Sequence, residues 1–143
     1  MLSLSTKYID FDRTKSVVLK YIDEYNFLLA LKPTRNEPSV TQGFSFIPPA
    51  TDRTLNTIES AADKNLKRQA LMQKRERVMD EFTKVIETLP ATYRYIIVKI
   101  YLNRCSDTEV YLDLNISKTN YYKVKKEAIV QLAIYLGIEV YKD

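Results

Sequence analysis

The chain has no histidine, no tryptophan, two glycines and one cysteine. Without histidine, Ser-His-Asp and Cys-His nucleophilic arrangements are excluded, and so are His-ligated metal sites. The single Cys105 can form neither an internal disulfide nor a zinc cluster, which fits an ordinary thiol of a reducing cytoplasm. Gly43 and Gly137 stand far apart, so there is no glycine-rich phosphate loop. No apolar run reaches membrane-spanning length. The N-terminus places Asp10 and Asp12 close behind a short apolar start, unlike a signal peptide. Carboxylate pairs such as Asp23/Glu24 and Asp80/Glu81 fall on charged helical faces, where solvation accounts for them better than acid–base work does. The chain is therefore expected not to be an enzyme, to need no cofactor or metal, to make no membrane contact and to reside in a cytoplasm.

The residues that are present point to an all-α fold with one real core. Hydrophobic residues make up 45% of the 143, enough to exclude wholesale disorder. The net charge of +4 is unevenly spread. Residues 1–60 hold seven Lys/Arg and seven Asp/Glu, and residues 61–143 hold fifteen and eleven, so the C-terminal part carries the whole excess. A basic C-terminal half suits a polyanionic partner, although a solvated surface with extra lysines would look the same.

Four of the five prolines and Gly43 fall within residues 32–51, a break in the pattern. Before it, residues 12–31 read as an amphipathic helix with Val18, Ile22, Tyr25 and Leu29 inward and Asp12 as cap. The short run 44–47 is taken as an apolar anchor for the loop, because no other strand offers it a partner. From 50 to 89 there is no Gly or Pro, enough for one long helix or two in sequence. Its second half is strongly patterned by Leu71, Met72, Val78, Met79, Phe82, Val85, Ile86 and Leu89, whereas Leu55, Ile58, Ala62 and Leu66 form a weaker face. Between them lie Lys64, Lys67, Arg68, Lys74, Arg75 and Arg77, read as a solvated face, with a phosphate-contacting surface or a dimer seam as alternatives. Pro90 stops the helix, and Ala91–Leu102 begins the next with Tyr95, Val98, Tyr101 and Leu102 inward. The expected organisation is 1–50 as helix plus Pro-rich loop, 51–77 as a basic connecting helix, and 78–143 as a helical bundle.

The stretch Asp107 to Leu136 reads as a helix-turn-helix: a short helix (Asp107 to Asp113), a turn (Leu114, Asn115, Ile116, Ser117) and a longer helix from Lys118. Asn tolerates the left-handed backbone such a turn needs, and Ser117 is a good N-cap. Tyr121, Val124, Ala128 and Leu132 recur at helical spacing as an inward stripe. The opposite face carries Lys118, Asn120, Tyr122, Lys123 and Lys126, with Thr119 near its edge. A polar, basic and aromatic front on an apolar back suits a helix in the major groove of double-stranded DNA. Ser117, Lys118, Thr119, Asn120, Tyr122, Lys123 and Lys126 are the candidate DNA-binding residues, and Lys125 and Lys126 could equally be phosphate contacts or plain surface.

Glu109 to Leu132 resembles region 4 of the sigma-70 class of transcription factors, without gaps: Glu109-Val110, Leu114, Ile116-Ser117, Val124, Ala128 and Leu132 occupy its framework positions. Over residues 8–137 the chain resembles the ArpU-like family of phage late-gene transcriptional regulators. That resemblance rests on Asp10-x-x-x-Thr14-Lys15, Arg75-Glu76-Arg77, the run Phe82 to Pro90, and Ser117 to Ala128. It implies a sequence-specific regulator, an activator of phage late genes, at work in the cytoplasm of a bacterial host cell. The sigma likeness implies base reading by Lys118, Thr119, Tyr122 and Lys123. Sigma region 4 has Arg in place of Tyr122 and Gln in place of Lys123, so the sequence read should differ. Tyr111 stands where sigma has a small residue at the helix crossing. No sigma region 2 is visible, so promoter melting is not expected. Two other readings stay open: a small terminase-like DNA-packaging protein, and a sigma-mimicking adaptor that binds bacterial RNA polymerase. Homo-oligomerisation is undetermined by the sequence.

Overall fold

The computed structural model describes residues 7–31 and 52–143, with side chains described from residue 60 in the second segment. The expected proline-rich loop and its 44–47 anchor lie outside the described residues. The described chain is all-α: α1 (Phe11–Ala30), α2 (Asp52–Thr88), α3 (Ala91–Ile97) running into a wide π turn (Val98–Leu102), α4 (Asp107–Asp113) and α5 (Lys118–Leu136).

Asp10, not Asp12, caps α1, accepting from the Arg13 N–H at 3.1 Å, while Asp12 lies in the first turn. The inward stripe is Thr14, Val18, Ile22, Tyr25 and Leu28; Leu29, expected inside, is 44% exposed. The reason is which neighbours α1 has along its length. Near its start α1 lies between α2 and α5. Toward its end the side-chain bonds among the described residues run to α2, on the side of Tyr21, Glu24 and Leu28. There Tyr21 donates to Glu81, Lys74 pairs with Glu24, and Arg75 Nε donates to the Leu28 carbonyl at 2.9 Å. Part of the basic cluster thus fastens α1, and Lys67 pairs with Asp63 one turn away.

Residues 50–89 hold a single helix from Asp52, about 55 Å long at ~1.5 Å per residue. Residues 60–67 are all exposed, including Ala62 and Leu66, and burial begins beyond them. Phe82 is the anchor, with the Tyr25 ring centroid 4.5 Å away. Pro90 interrupts the chain after Leu89, and Arg94 closes the end of α2 by donating to the carbonyls of Ile86, Glu87 and Leu89. A guanidinium there satisfies carbonyls that have no partner within the helix.

Two clusters form the interior. The larger joins Val18, Ile22 and Tyr25 of α1 with Phe82 and Leu89, Ile97, and Ala128, Ile129, Leu132 and Ala133 of α5. The smaller gathers Ile96, Val110 and Tyr121, with Tyr111, Leu114, Ile116 and Val124 against them. Helix α3 stands between the two and is buried on both sides. Ile96 and Ile97 are therefore fully enclosed, whereas the expected inward set Tyr95, Val98, Tyr101 and Leu102 is only half-buried. The π turn shifts the helical phase just after these isoleucines, with Asn103 N–H reaching the Val98 carbonyl. The boundary expected at 77/78 falls inside α2, and α1 shares the core of α2, α3 and α5.

The two described ends of the chain meet. Ile9 and Tyr141 form an antiparallel bridge, Asp10 N–H donates to Val140 O at 2.9 Å, and Lys142 N–H donates to Tyr8 O at 2.8 Å. Thr14, fully buried, donates to Val140 O at 3.3 Å and accepts from Val140 N–H at 3.0 Å. These contacts fix the start of α1 beside α5.

Candidate nucleic-acid interface

The helix-turn-helix is built by local chemistry at its three joints. Ser106 accepts from the Glu109 N–H at 3.2 Å to start α4. At the turn, Asn115 adopts φ 55°, its N–H reaches Leu112 O at 3.1 Å, and Ile116 N–H reaches Tyr111 O at 3.2 Å. This pair of hydrogen bonds is the Schellman closure of a helix, and Asn is the non-glycine residue that best tolerates its left-handed position. Ser117 then accepts from the Asn120 N–H at 3.1 Å to open α5. Gly137, at φ 73°, closes α5 with the same pair of bonds.

Helix α5 divides into two faces as its periodicity requires. Tyr121, Ala128 and Leu132 are fully buried and Val124 is half-buried. Ser117, Lys118, Thr119, Asn120, Tyr122, Lys123 and Lys126 are all exposed, so every candidate residue lies on accessible surface. From Leu114 to Lys126 there is no acidic residue, so the front carries positive charge only. The Tyr122 ring stands edge-on to Tyr121 with centroids 5.1 Å apart, which holds this aromatic at the surface. Lys126 lays its ammonium 4.6 Å from the Phe11 ring centroid of α1.

Behind this front sits a polar clasp that sequence reading missed. Asp107, in the first turn of α4, accepts from the Tyr121 hydroxyl at 2.6 Å and from Lys125 Nζ at 2.8 Å. Lys125 is thus neither free surface nor an available phosphate contact, its side chain being 15% exposed. Burial pushes the Asp107 carboxyl up, but the hydrogen bonds from Lys125 and Tyr121 and the nearby lysine charge outweigh it and hold it below the ordinary range. Burial and the same carboxylate push the Tyr121 hydroxyl well above its usual value, and burial with the Asp107 charge takes Tyr101 to about 12. The clasp ties α4 to α5 and so sets the angle at which α5 is presented. Tyr111 packs its ring against Tyr121 with centroids 5.7 Å apart and planes inclined at 53°, filling the helix crossing with two tilted aromatics. Three of the four carboxylates noted in the sequence make side-chain contacts: Glu24 with Lys74, Asp80 with Lys84, and Glu81 with Tyr21. Among the described residues no His/Cys/Asp/Glu group could hold a metal ion, and no helix is long and apolar enough to cross a membrane.

Residues 55–133, more than half of the chain, match the family described as "Protein of unknown function (DUF1492)". The chain belongs to this family. The matched region runs from the first turns of α2 through the clasp and almost to the end of α5. Two relatives are similar to it over most of both chains. One is "Uncharacterized phage-related protein Lin1259/Lin1739" of Listeria innocua serovar 6a, 27% identical over 131 residues and covering 91% of each chain. The other is "Protein Gp66" of Listeria phage A118, 23% identical over 133 residues, covering 92% of this chain and 90% of the relative. The first of these relatives is named as phage-related and the second comes from a phage. No solved structure matches it.

Proposed function

We propose that this phage-family protein is a sequence-specific DNA-binding transcriptional regulator that reads the major groove with α5, and that it activates phage late genes. The observation carrying the reading is the division of α5: seven candidate contacts on one acid-free exposed front, backed by an enclosed Tyr121–Ala128–Leu132 stripe. Lys118, Thr119 and Asn120 lie in the first turn, where a recognition helix meets base edges, and Tyr122 and Lys123 continue onto the same front. Ser117 contributes as the cap and through its exposed position beside the backbone of a bound duplex. Lys126, a turn further on, faces the phosphates.

The late-gene assignment rests on the resemblance to ArpU-like regulators, which the phage relatives make coherent. The sigma-like helix-turn-helix supports a contact near polymerase, with bacterial RNA polymerase as the second partner. The test is to map genomic sites bound by the tagged protein in a lysogen that carries its gene, together with transcript levels on deletion. Occupancy upstream of late operons, with loss of those transcripts on deletion, supports the reading; binding spread without sequence preference contradicts it.

A further inference from the structure

A cleft of about 200 Å³ opens between the start of α1 and the front of α5, lined by Phe11, Lys15, Tyr122, Lys125, Lys126 and Ile129. Its floor is apolar and its rim is cationic. Lys125 is already neutralised by Asp107. Lys126 rests on the face of Phe11, which attracts the cation yet supplies no counter-charge. Lys15 lies near enough to Asp107 for its charge to act on that carboxyl, but the hydrogen bonds of Asp107 go to Lys125 and Tyr121. The lining thus brings together three ammonium groups and no carboxylate, so the charge of Asp107 is shared and a bound anion would relieve the remaining repulsion.

Position selects the anion. Tyr122 belongs both to the cleft and to the exposed front of α5, so a duplex seated on that front passes its backbone over the opening. Lys15 also stands beside Thr14, whose two hydrogen bonds to Val140 fix this turn of α1 against the chain's C-terminal segment. The backbone that carries the lysine is therefore fixed before DNA arrives, which lowers the entropy cost of using it.

The geometry points to this cleft as a binding site for a DNA backbone phosphate flanking the recognition helix, with Lys15 of α1 and Lys126 of α5 as its ligands. This rests on the reading of α5 as a DNA-binding helix and adds α1, outside the helix-turn-helix, to the interface. A phosphate contact carries no sequence information, so it contributes equally to all duplexes.

The test is a salt titration of binding to a random-sequence duplex by the full chain and by Lys15→Gln, Lys126→Gln, the double variant and Lys15→Arg. Each lost phosphate contact removes about 0.9 from the log–log slope, or about eightfold in affinity near 0.1 M salt. The expected result is a drop of about one contact in each single variant, about two in the double, and retention in Lys15→Arg, which keeps the charge. An unchanged slope in Lys15→Gln, with the wild type binding normally, overturns the inference and leaves the reading of α5 standing. A slope lost equally in Lys15→Arg also overturns it, since packing and not charge would then be responsible. Absence of binding by the wild type to random-sequence and genomic duplexes alike overturns the reading of α5 itself.

Discussion

Replacing Asp107 by alanine removes one carboxylate and strands two partners. Tyr121 is fully buried, so its hydroxyl loses a 2.6 Å acceptor with little access to water. Lys125, 15% exposed, loses its counter-ion at 2.8 Å. Hydrogen bonds to charged groups are worth about 1.5–3 kcal/mol each, and the two here share one oxygen, so they do not add fully. The Asp107 side chain is itself 33% exposed, and water can partly replace it. Its loss also removes a carboxylate from the first turn of α4, worth about 0.3–1 kcal/mol against the helix dipole. The expected destabilisation is about 3 kcal/mol, a midpoint about 10 °C lower for a chain of this size. Asp107→Asn, which keeps an acceptor for Tyr121 but no charge for Lys125, should fall between the two. Urea titrations at neutral pH measure all three. The carboxyl's lowered pKa fixes the sign of the pH effect. Its contribution is fully present above the unfolded value of about 4 and is lost as pH falls through the folded one. The wild type should therefore lose its advantage over Asp107→Asn only in acid. Stability of Asp107→Ala within about 0.5 kcal/mol of the wild type at neutral pH would refute the clasp.

Other substitutions test the remaining joints. Tyr121→Ala should cost about 3–5 kcal/mol, since it empties the centre of the smaller cluster; an unchanged thermal midpoint would mean its ring is not enclosed. Asn115→Val forces a β-branched residue into φ 55° and should cost at least about 1–2 kcal/mol, whereas Asn115→Gly should be neutral within error in the same melts. Arg75→Ala removes the bond to the Leu28 carbonyl and should cost about 1–2 kcal/mol, with faster hydrogen exchange confined to the end of α1; uniform exchange would contradict its local role.

The helix-turn-helix was the most legible part of the sequence because each of its joints has a residue with a single strong reason to be there. Asn115 and Ser117 mark turn and cap by their own chemistry, and the 3.6-residue stripe assigns Tyr121 inward and Tyr122 outward without reference to any other element. The exposure of all seven candidate contacts follows from that phase. What periodicity could not supply was contact between distant segments. Leu28 replaced Leu29 inside on the side of α1 that bonds to α2, and α3 is buried on two sides because it separates two clusters. The role of Lys125 needed Asp107 opposite it; the available signal was a carboxylate at the start of the preceding helix, facing Tyr121 and Lys125 one turn apart. Nothing in the local pattern linked Lys15 to α5, because that link depends on the Thr14–Val140 contact between the two ends of the described chain.

Selection of bound duplexes from a random-sequence pool tests the account most directly, run with the wild type and with Tyr122→Ala and Lys123→Ala. Both side chains are exposed opposite the buried stripe, so both variants should melt like the wild type. The wild type should enrich a defined motif, and each variant should lose discrimination at a few of its positions, at a cost of about 1–3 kcal/mol per lost base contact. No enriched motif for the wild type, or the same motif recovered with equal affinity by both variants at matched salt, would contradict the assignment of α5 as the helix that reads DNA.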